Sequence, residues 1–331
     1  MKPAGTLLLK RSEVAALLNL HECMVAVEQA FRLHAEGRIA PPGILGLHTR
    51  GGGFHIKTGL WEAGRPYFAA KANANFPENM KLFGLPLIQG IIALFDAENG
   101  YLLALMDSIE ITIIRTGAAT GTAARYLARA DARIATICGC GHQGRISLRA
   151  LAKVRPLTQA YAWDIDREVS RRFASELAGE LGIQVEAVDE LAAAVRQSDI
   201  CVTCTPSKRH FLEHEYVKPG TFVAAVGADS GDKQEIDPRL IASNKLVVDS
   251  LDQCAAIGEL HHALDLGLIT RENVYGELGQ VIAGKKSGRQ SNDEIIIFDS
   301  TGTALQDVAA SALVYERAIA SGAGAIIDLK E

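Results

Sequence analysis

A glycine-rich turn between two apolar segments is the feature that most constrains this chain of 331 residues. In residues 132–166 an apolar strand runs into Gly139-x-Gly141-x-x-Gly144, a helix-compatible segment follows, and a second apolar strand ends in Asp164. Gly139 permits the tight turn, Gly141 lets the backbone approach a ligand, and Gly144 lets the helix pack closely on the sheet. The start of the helix adds unpaired N–H groups and a positive dipole end, so we expect the pyrophosphate of a dinucleotide there.

Three glycines at this spacing are weak evidence alone, because purely structural tight turns share the pattern. Here a strand, a helix and an acid at the end of the next strand supply the context of a dinucleotide site. Asp164 follows Gly139 by about 25 residues, where a carboxylate can bind both ribose hydroxyls and repel a 2′-phosphate. The sequence therefore predicts NAD(H) rather than NADP(H), a preference that the nearby Arg167 would soften.

The pattern after Asp164 alternates helices and apolar strands, which predicts a parallel, doubly wound sheet. Residues 258–269 and 274–282 are expected to be helices, and residues 303–320 an amphipathic helix that returns to the first domain. At about 150 residues per domain the length suggests two domains. The expected fold class is α/β, with a Rossmann doubly wound parallel sheet plus an α+β domain.

The first half shows shorter strand-like pieces and two helices. We expect a strand at residues 7–9, a helix capped by Ser12, and a helix over residues 21–38. Asn99-Gly100 lies between two apolar runs as a hairpin turn, so the region is expected to be antiparallel. The second helix is predicted to bury Met24, Val25, Val27, Ala30, Phe31 and Leu33.

Composition excludes several classes of protein. A net charge of -5 without a basic run argues against a nucleic-acid partner. No apolar stretch reaches the roughly 18 residues of a membrane span, and the N-terminus lacks a signal-peptide pattern, so a cytoplasmic protein is expected. The six cysteines are expected to be reduced. Cys201-x-x-Cys204 lies in an apolar strand without a second ligand pair, so no metal is predicted.

Ligands of a doubly wound sheet collect at the carboxyl ends of its strands. The residues at those ends are the glycine turn, Asp164, Thr205, residues 227–229 and residues 299–302. Asp229 directly follows an apolar strand and is a candidate acid or base. The alternative is a loop acid that caps residues 230–233.

Three basic residues in the first half stand in unusual surroundings. Lys57 and Lys71 interrupt apolar or small-residue strands, where an ammonium group is costly unless it has a partner or a function. The alternative is a lysine that extends to solvent at a sheet edge. Arg115 lies in a helix of small residues, where it is placed to meet an anion.

These residues belong to a series of motifs that resembles one family along almost the whole chain. The motifs are FAAKANANFPEN, IQGIIALFDAENGYLLALMDS, IRTGAATGTAARYLAR, CGCGHQG, VGADSGDKQEID and FDSTGTALQDVA. In this order they resemble the ornithine cyclodeaminase and mu-crystallin family.

The resemblance implies a homodimer with a substrate and dimerisation domain at residues 1–117 plus 304–331, and a Rossmann domain at residues 118–303 that binds NAD(H). It implies hydride transfer at the α-carbon of a small 2-amino acid or its imine, with ornithine converted to proline plus ammonia as the type reaction. An alanine-dehydrogenase-like enzyme, a ketimine or imino-acid reductase, and a non-catalytic NAD(P)H-binding protein are the alternatives.

The resemblance also implies roles for individual residues. Lys71 matches the lysine near the substrate carboxylate, Asp229 matches the catalytic acid/base, and Thr301 lies where substrate meets the nicotinamide. Arg115 matches an arginine near the cofactor and is also a candidate for substrate binding. Cofactor-binding positions are expected at Arg115, Thr116, Gly139, Gly141, His142, Gln143, Gly144, Asp164, Thr205, Val226, Gly227, Ala228, Lys233 and Ser300.

The chain departs from the family in the substrate half. Gly43 stands where the family has a carboxylate-binding arginine, Leu87 replaces a threonine, and residues 55–58 replace a Met-Pro-Ala piece. Lys57 is therefore predicted to supply the missing cation, whereas Arg50 lies in an apparent exposed turn. Because lysine is a less directional clamp than arginine, the preferred substrate is expected to differ from ornithine.

Overall fold

The computed structural model describes residues 5–329, which divide into two compact units. One unit ends at Arg115 and resumes at Thr303, and the other comprises Thr116–Gly302. The first boundary lies within one long helix, Ile109–Leu127. None of the helices in the described part of the chain has both the length and the apolar character needed to cross a bilayer.

The secondary structure begins with β1 (Thr6–Leu9), α1 (Arg11–Leu17), α2 (Leu20–Ala35), β2 (Gly43–Thr49), β3 (Gly52–Trp61), β4 (Tyr67–Asn75), α3 (Asn79–Phe83), β5 (Ile88–Asp96), β6 (Leu102–Asp107) and α4 (Ile109–Leu127). It continues with β7 (Ile134–Cys138), α5 (His142–Val154), β8 (Gln159–Trp163), α6 (Arg167–Leu181), β9 (Gln184–Ala187), α7 (Leu191–Gln197), β10 (Ile200–Thr203), β11 (Lys208–Leu212), β12 (Phe222–Ala225) and β13 (Gln234–Ile236). The remaining elements are α8 (Pro238–Ala242), β14 (Lys245–Val248), α9 (Leu251–Ile257), α10 (Glu259–Asp265), β15 (Gly276–Glu277), α11 (Leu278–Ile282), β16 (Ile296–Asp299), α12 (Ala304–Ser321) and β17 (Ala325–Ile327).

The second unit contains an eight-stranded sheet in the order β15-β14-β16-β12-β10-β7-β8-β9, and every pair in it is parallel. Its central strands β7, β10, β12, β14 and β16 are mostly apolar and buried, as strands covered on both faces must be. From β7 the chain passes outward to β8 and β9, then returns to β10 on the other side of β7. This reversal is the point at which such sheets bind ligands. The predicted Rossmann doubly wound fold is confirmed.

The first unit is built on a seven-stranded sheet in the order β17-β1-β6-β5-β4-β3-β2. The hairpin at Asn99-Gly100 joins β5 to β6 as predicted. The expected antiparallel pairing is confirmed for β2 to β6, whereas β1 and β6 pair in parallel. Local sequence pattern does not specify a partner so distant along the chain.

Helix α12 covers one face of this sheet by packing against β3, β4 and β5, and its other side packs against α1 and α2. Residues 304–312 are consequently all buried. The prediction of an amphipathic helix is therefore wrong for its first half. Gln306 and Asp307 are polar residues within this buried stretch, so they need partners inside the protein.

The opposite face of the sheet carries exposed apolar side chains. In the sheet register Leu45 pairs with Ile56, and Leu47 pairs with Phe54. These four residues form, with Ile91 of β5, an apolar patch in which each side chain is 37% to 56% exposed. An exposed patch of this kind is typical of an interaction surface.

Two local predictions in the first unit are wrong. Helix α1 begins at Arg11, because the Lys10 carbonyl accepts from the backbone N–H groups of Glu13 and Val14. Ser12 therefore lies inside the first turn and does not cap it.

The second helix, α2, begins at Leu20 after the cap Asn19 and ends at Ala35 instead of residue 38. Val25 is 53% exposed, because a helix turns by about 100° per residue and the buried stripe contains its neighbours Met24 and Val27.

In the second unit, residues 274–282 do not form one helix. Gly276–Glu277 is a strand, β15, paired with β14, and α11 begins only at Leu278. Glu277 is the cap before the helix and forms a capping box with Gln280, and its carboxylate also accepts from the backbone N–H of Leu251 at 2.9 Å. The short parallel pair β11 and β13 was not predicted.

Candidate active site

The three glycines of the turn after β7 differ in backbone conformation and in the space around them. Gly139 adopts φ +98°, a left-handed conformation that favours glycine. A Cβ on Gly144 would lie 2.1 Å from the Gly139 carbonyl oxygen, so glycine is required for close packing of α5. A Cβ on Gly141 would meet no atom within 4 Å, so the space beside the protein backbone at this position is open.

The N-terminus of α5 is prepared for an anion. The helix has 13 residues, begins at His142 after the cap Gly141, and has no acidic residue in its first turn. His142 is exposed beside Gly141, and Gln143 carries a buried Oε1 atom that has no hydrogen-bond partner in the described part of the chain. The backbone N–H groups and the dipole of this turn can therefore bind a phosphate.

Asp164 follows β8 and is held by the backbone around it. Its Oδ2 accepts from the Cys140 N–H at 2.8 Å, and its Oδ1 accepts from the Asp166 N–H at 3.0 Å. Asp164 thus ties the glycine turn to the end of the next strand. Arg167 pairs with Asp189 at 2.7 Å on the surface.

Glu235 on β13 connects two loops that the sequence predicts to bind the cofactor. Its carboxylate accepts from the backbone N–H of Thr205, which follows β10, and from that of Gly227, which follows β12, the latter at 3.1 Å. Glu235 is fully buried, and burial raises its pKa against the opposing effect of these N–H donors. Glu235 was not predicted from the sequence. Its one signal is an acid within an otherwise buried strand.

A second buried acid, Asp249, holds the segment after β16. Ser300 Oγ donates to Asp249 at 2.9 Å, the Gly302 N–H donates at 2.7 Å, and Thr301 Oγ1 lies 3.3 Å from the carboxylate. Both predicted residues, Ser300 and Thr301, are buried with their hydroxyl groups turned toward this carboxylate. Asp249 was also not predicted, since it lies at the end of a different strand.

Asp229 lies in the segment after β12, beside the predicted cofactor positions Val226, Gly227 and Ala228. Its Oδ1 accepts from Lys233 Nζ at 2.6 Å, and 45% of its side chain is exposed. The same lysine lies 3.4 Å from the Gly227 carbonyl oxygen. The structure therefore brings two predicted residues, Asp229 and Lys233, into one ion pair.

The predicted cations of the first unit form a buried cluster beneath α12. Lys57 and Lys71 are directly opposite in the register of β3 and β4, so their side chains share the sheet face that α12 covers. Lys71 Nζ lies 2.8 Å and 2.7 Å from the two carboxylate oxygens of Asp307. Arg115 Nε donates to Asp307 at 3.1 Å, and its Nη1 donates to Gln306 Oε1 at 2.8 Å.

Burial controls the charges of this cluster. Lys71 is 3% exposed on an interior strand, so it does not extend to solvent at a sheet edge. Burial lowers the pKa of Lys71 to about 7; Arg115 and Lys57 act in the same direction, and Asp307 opposes them. Burial alone would raise the pKa of Asp307, but Lys71 and Arg115 outweigh it and hold that pKa below its usual value.

Gly43 lies on β2, and a side chain at this position would not point toward the buried cations. Gly43 pairs with Thr58, and a Cβ at position 43 would lie 2.6 Å from Thr58 Oγ1. That Cβ would thus point to the sheet face opposite Lys57 and Lys71. Lys57 therefore does not occupy the place of a side chain at position 43; it lies opposite Lys71 on the other face of the sheet. Arg50 lies in an exposed turn between β2 and β3, as expected.

Among the described residues, one acidic group has the spacing of metal ligands. It consists of Glu213, Glu215 and Asp237. Arg239 forms ion pairs with all three, at 3.8, 3.2 and 2.5 Å. An arginine thus already balances this acidic group.

Fold and site define an α/β protein whose second unit is of the Rossmann type and whose first unit contains a buried cationic cluster. A family model described as the ornithine cyclodeaminase/mu-crystallin family matches residues 5–322. The chain belongs to this family, and the resemblance seen in its motifs is confirmed.

Relatives match over almost the full length. A putative dehydrogenase of Rhizobium meliloti is 41% identical and covers 96% of this chain and 97% of its own. Alanine dehydrogenase of Archaeoglobus fulgidus is 38% identical over 97% of this chain and 98% of its own.

Solved structures of other proteins are also similar to this chain over almost its full length. An archaeal alanine dehydrogenase dimer with bound NAD has a TM-score of 0.93 at 38% identity, covering 98% of this chain and 99% of the other. Delta(1)-pyrroline-2-carboxylate reductase of Thermococcus litoralis, in complex with NADH and L-proline, has a TM-score of 0.92 at 33% identity, covering 97% and 100%.

The glycine geometry gives a direct test. We expect Gly144→Ala to lower the free energy of unfolding by about 2 kcal/mol or more, because its Cβ has no space and the backbone must shift. Gly179→Ala in helix α6 is the matched control, since its Cβ meets nothing within 4 Å. The control should gain up to about 1 kcal/mol from higher helix propensity. Urea denaturation measures both, and equal effects would refute the packing role.

Proposed function

We propose that this protein is an NAD-dependent oxidoreductase that transfers a hydride at the α-carbon of a small 2-amino acid or its imine. The observation that carries the proposal is the buried group of Lys71 and Arg115, which is suited to a carboxylate. Two further findings support it, namely the phosphate-binding geometry after β7 and the similarity to an alanine dehydrogenase and a pyrroline-2-carboxylate reductase.

Each candidate site residue has a distinct role in the proposed reaction. Lys71 and Arg115 bind and orient the substrate carboxylate, so that the α-carbon is aimed at the nicotinamide. NAD supplies the hydride acceptor, and NADH the donor in the reverse direction. Asp229 acts as the general acid and base that transfers protons to and from the groups bonded to the α-carbon.

The fate of the imine separates the reactions of this class. If water attacks it, a 2-keto acid and ammonia are released and NADH remains as a product. If a side-chain amine attacks it, ammonia leaves and return of the hydride gives a cyclic amino acid without net redox change. We favour the dehydrogenase or reductase version, because the alanine dehydrogenase and the reductase share 38% and 33% identity with this chain over nearly its full length.

Lys57 is proposed as a second substrate-binding cation. It is 6% exposed and lies opposite Lys71 on the covered face of the sheet. An ammonium group at this place can reach the same carboxylate from the neighbouring strand. Because lysine binds less directionally than arginine, this arrangement favours a substrate other than ornithine.

The first test is of catalysis. A panel of L-amino acids with NAD, and of 2-keto acids plus ammonia or methylamine with NADH, should reveal turnover by absorbance of the reduced nicotinamide. Asp229→Asn should then lose about 10²–10⁴-fold in kcat while NADH binding, followed by fluorescence, is retained. Asp232→Asn is the matched control in the same loop, because Asp232 pairs with the surface residue Lys208. Near-normal turnover of Asp229→Asn would leave Asp229 as a loop residue.

The second test concerns cofactor choice. The charge of Asp164 should favour NADH over NADPH, and Asp164→Ser should shift the ratio of the two kcat/KM values toward NADPH. The ratio is the useful quantity, since loss of the acceptor for the Cys140 N–H will also loosen the turn. Equal kcat/KM values for both cofactors in the unmodified enzyme would contradict the proposal.

The third test concerns assembly. We propose that the apolar patch on β2, β3 and β5 pairs with a second copy, a proposal supported by similarity to the archaeal alanine dehydrogenase, which is a dimer. Leu47→Asp should convert a dimer to a monomer in light scattering at micromolar concentration. Leu266→Asp is the control, a similarly exposed apolar residue of the second unit. A monomeric unmodified protein would rule out the dimer.

A further inference from the structure

Helix α12 delivers a carboxylate to the candidate substrate cations. Asp307 is fully buried and belongs to the stretch of α12 that is covered on all sides. Both of its oxygens lie within 2.8 Å of Lys71 Nζ, and one of them also accepts from Arg115 Nε. One carboxylate therefore joins two of the cations proposed to bind substrate.

The neighbouring residue completes the arrangement. Gln306 Oε1 accepts from Arg115 Nη1 at 2.8 Å, while Asp307 accepts from Nε. The planar guanidinium group is thus fixed at two of its three nitrogens. Nη2 takes part in neither of these two contacts.

We propose that Asp307 is a positioning residue for substrate binding, which keeps the Lys71 ammonium protonated and fixes Arg115 so that both present donors to the substrate carboxylate. The inference rests on the proposed function, because it assumes that Lys71 and Arg115 bind that carboxylate. Asp307 itself does not touch the substrate.

The charges around Lys71 make this role necessary. Burial and the nearby cations Lys57 on β3 and Arg115 on α4 favour the neutral amine, and Asp307 is the group that opposes them. On β5 the register neighbour of Lys71 is the apolar Ile92. On α2, Cys23 interacts electrostatically with Arg115 and Asp307. Burial raises the pKa of its thiol to about 12, so the thiol stays neutral.

The pH dependence of substrate capture separates this role from a purely structural one. The Lys71 ammonium binds an anion only while it is protonated, so kcat/KM should fall as pH rises through the Lys71 pKa. Removal of the Asp307 charge lowers that pKa further, because the ion pair that favoured the charged form is lost. The alkaline limb must then move to lower pH. A loosened fold alone would lower kcat/KM without moving the limb.

The experiment measures kcat/KM against pH for the unmodified enzyme and five variants, with thermal unfolding and NADH binding recorded for each. Asp307→Asn should shift the alkaline limb down by about one pH unit or more and raise KM more than it lowers kcat. Lys71→Arg should abolish the limb, since a guanidinium stays charged. Asp307→Glu should restore the limb to near its original position. Ser311→Ala, on the same buried helix, should leave the limb in place.

An unmoved limb in folded Asp307→Asn would overturn the inference. If that variant does not fold, Asp307→Glu decides: an unchanged limb with raised KM supports positioning, whereas an unchanged KM overturns it. Failure of the proposed function looks different, because Lys71→Met would then leave KM for the substrate unchanged. If Lys71→Met raises KM while Asp307→Asn leaves the limb in place, only the inference about Asp307 fails.

Discussion

The ion pair between Lys71 and Asp307 is the contact on which the arrangement of the first unit depends. An isolated ammonium beneath a helix would cost several kcal/mol, and so would an isolated carboxylate within the buried half of α12. The ion pair offsets the desolvation cost of both groups, and Arg115 joins them by donating to the same Asp307 carboxylate. A buried ion pair is weak evidence for stability in itself. Here it keeps two cations at one place in an apolar environment, which is what capture of a small anion requires.

In the second unit, acidic side chains are also stabilised by partners inside the protein, but these partners are backbone N–H groups. The carboxylates of Glu235, Asp249 and Asp164 accept N–H groups from the loops after β10, β12, β16 and β7. Those loops carry most of the residues predicted to bind the cofactor. Buried acids thus fix loop backbones at the carboxyl ends of the strands, so the atoms predicted to bind ligand are held in place by the protein itself.

Sequence predicted what depends on local pattern. The glycine turn, the alternating strands and helices and the hairpin at Asn99-Gly100 each consist of neighbouring residues, so their physical causes are visible in the chain. Lys71 was identified because a charge on an apolar strand is anomalous by itself. Its partner Asp307 was not identified, since it lies 236 residues away and resembles an ordinary polar residue of a helix.

The wrong predictions have the same origin. Nothing in the sequence shows that α12 is covered on both sides, that β1 pairs with β6, or that Glu235 joins the loops after β10 and β12. Local errors at Ser12 and Val25 came from a difference of one or two residues in helix start and phase, which turns a side chain from one face to another.

Hydride transfer at the α-carbon is the central claim, and isotope transfer tests it most directly. An amino acid that supports turnover is supplied with deuterium at its α-carbon, and the reduced nicotinamide and the product are measured by mass spectrometry. We expect the deuterium to appear on the nicotinamide ring, or to return to the same carbon of a cyclic product. Loss of the deuterium to solvent, with ordinary hydrogen on the nicotinamide, would contradict hydride transfer from this carbon.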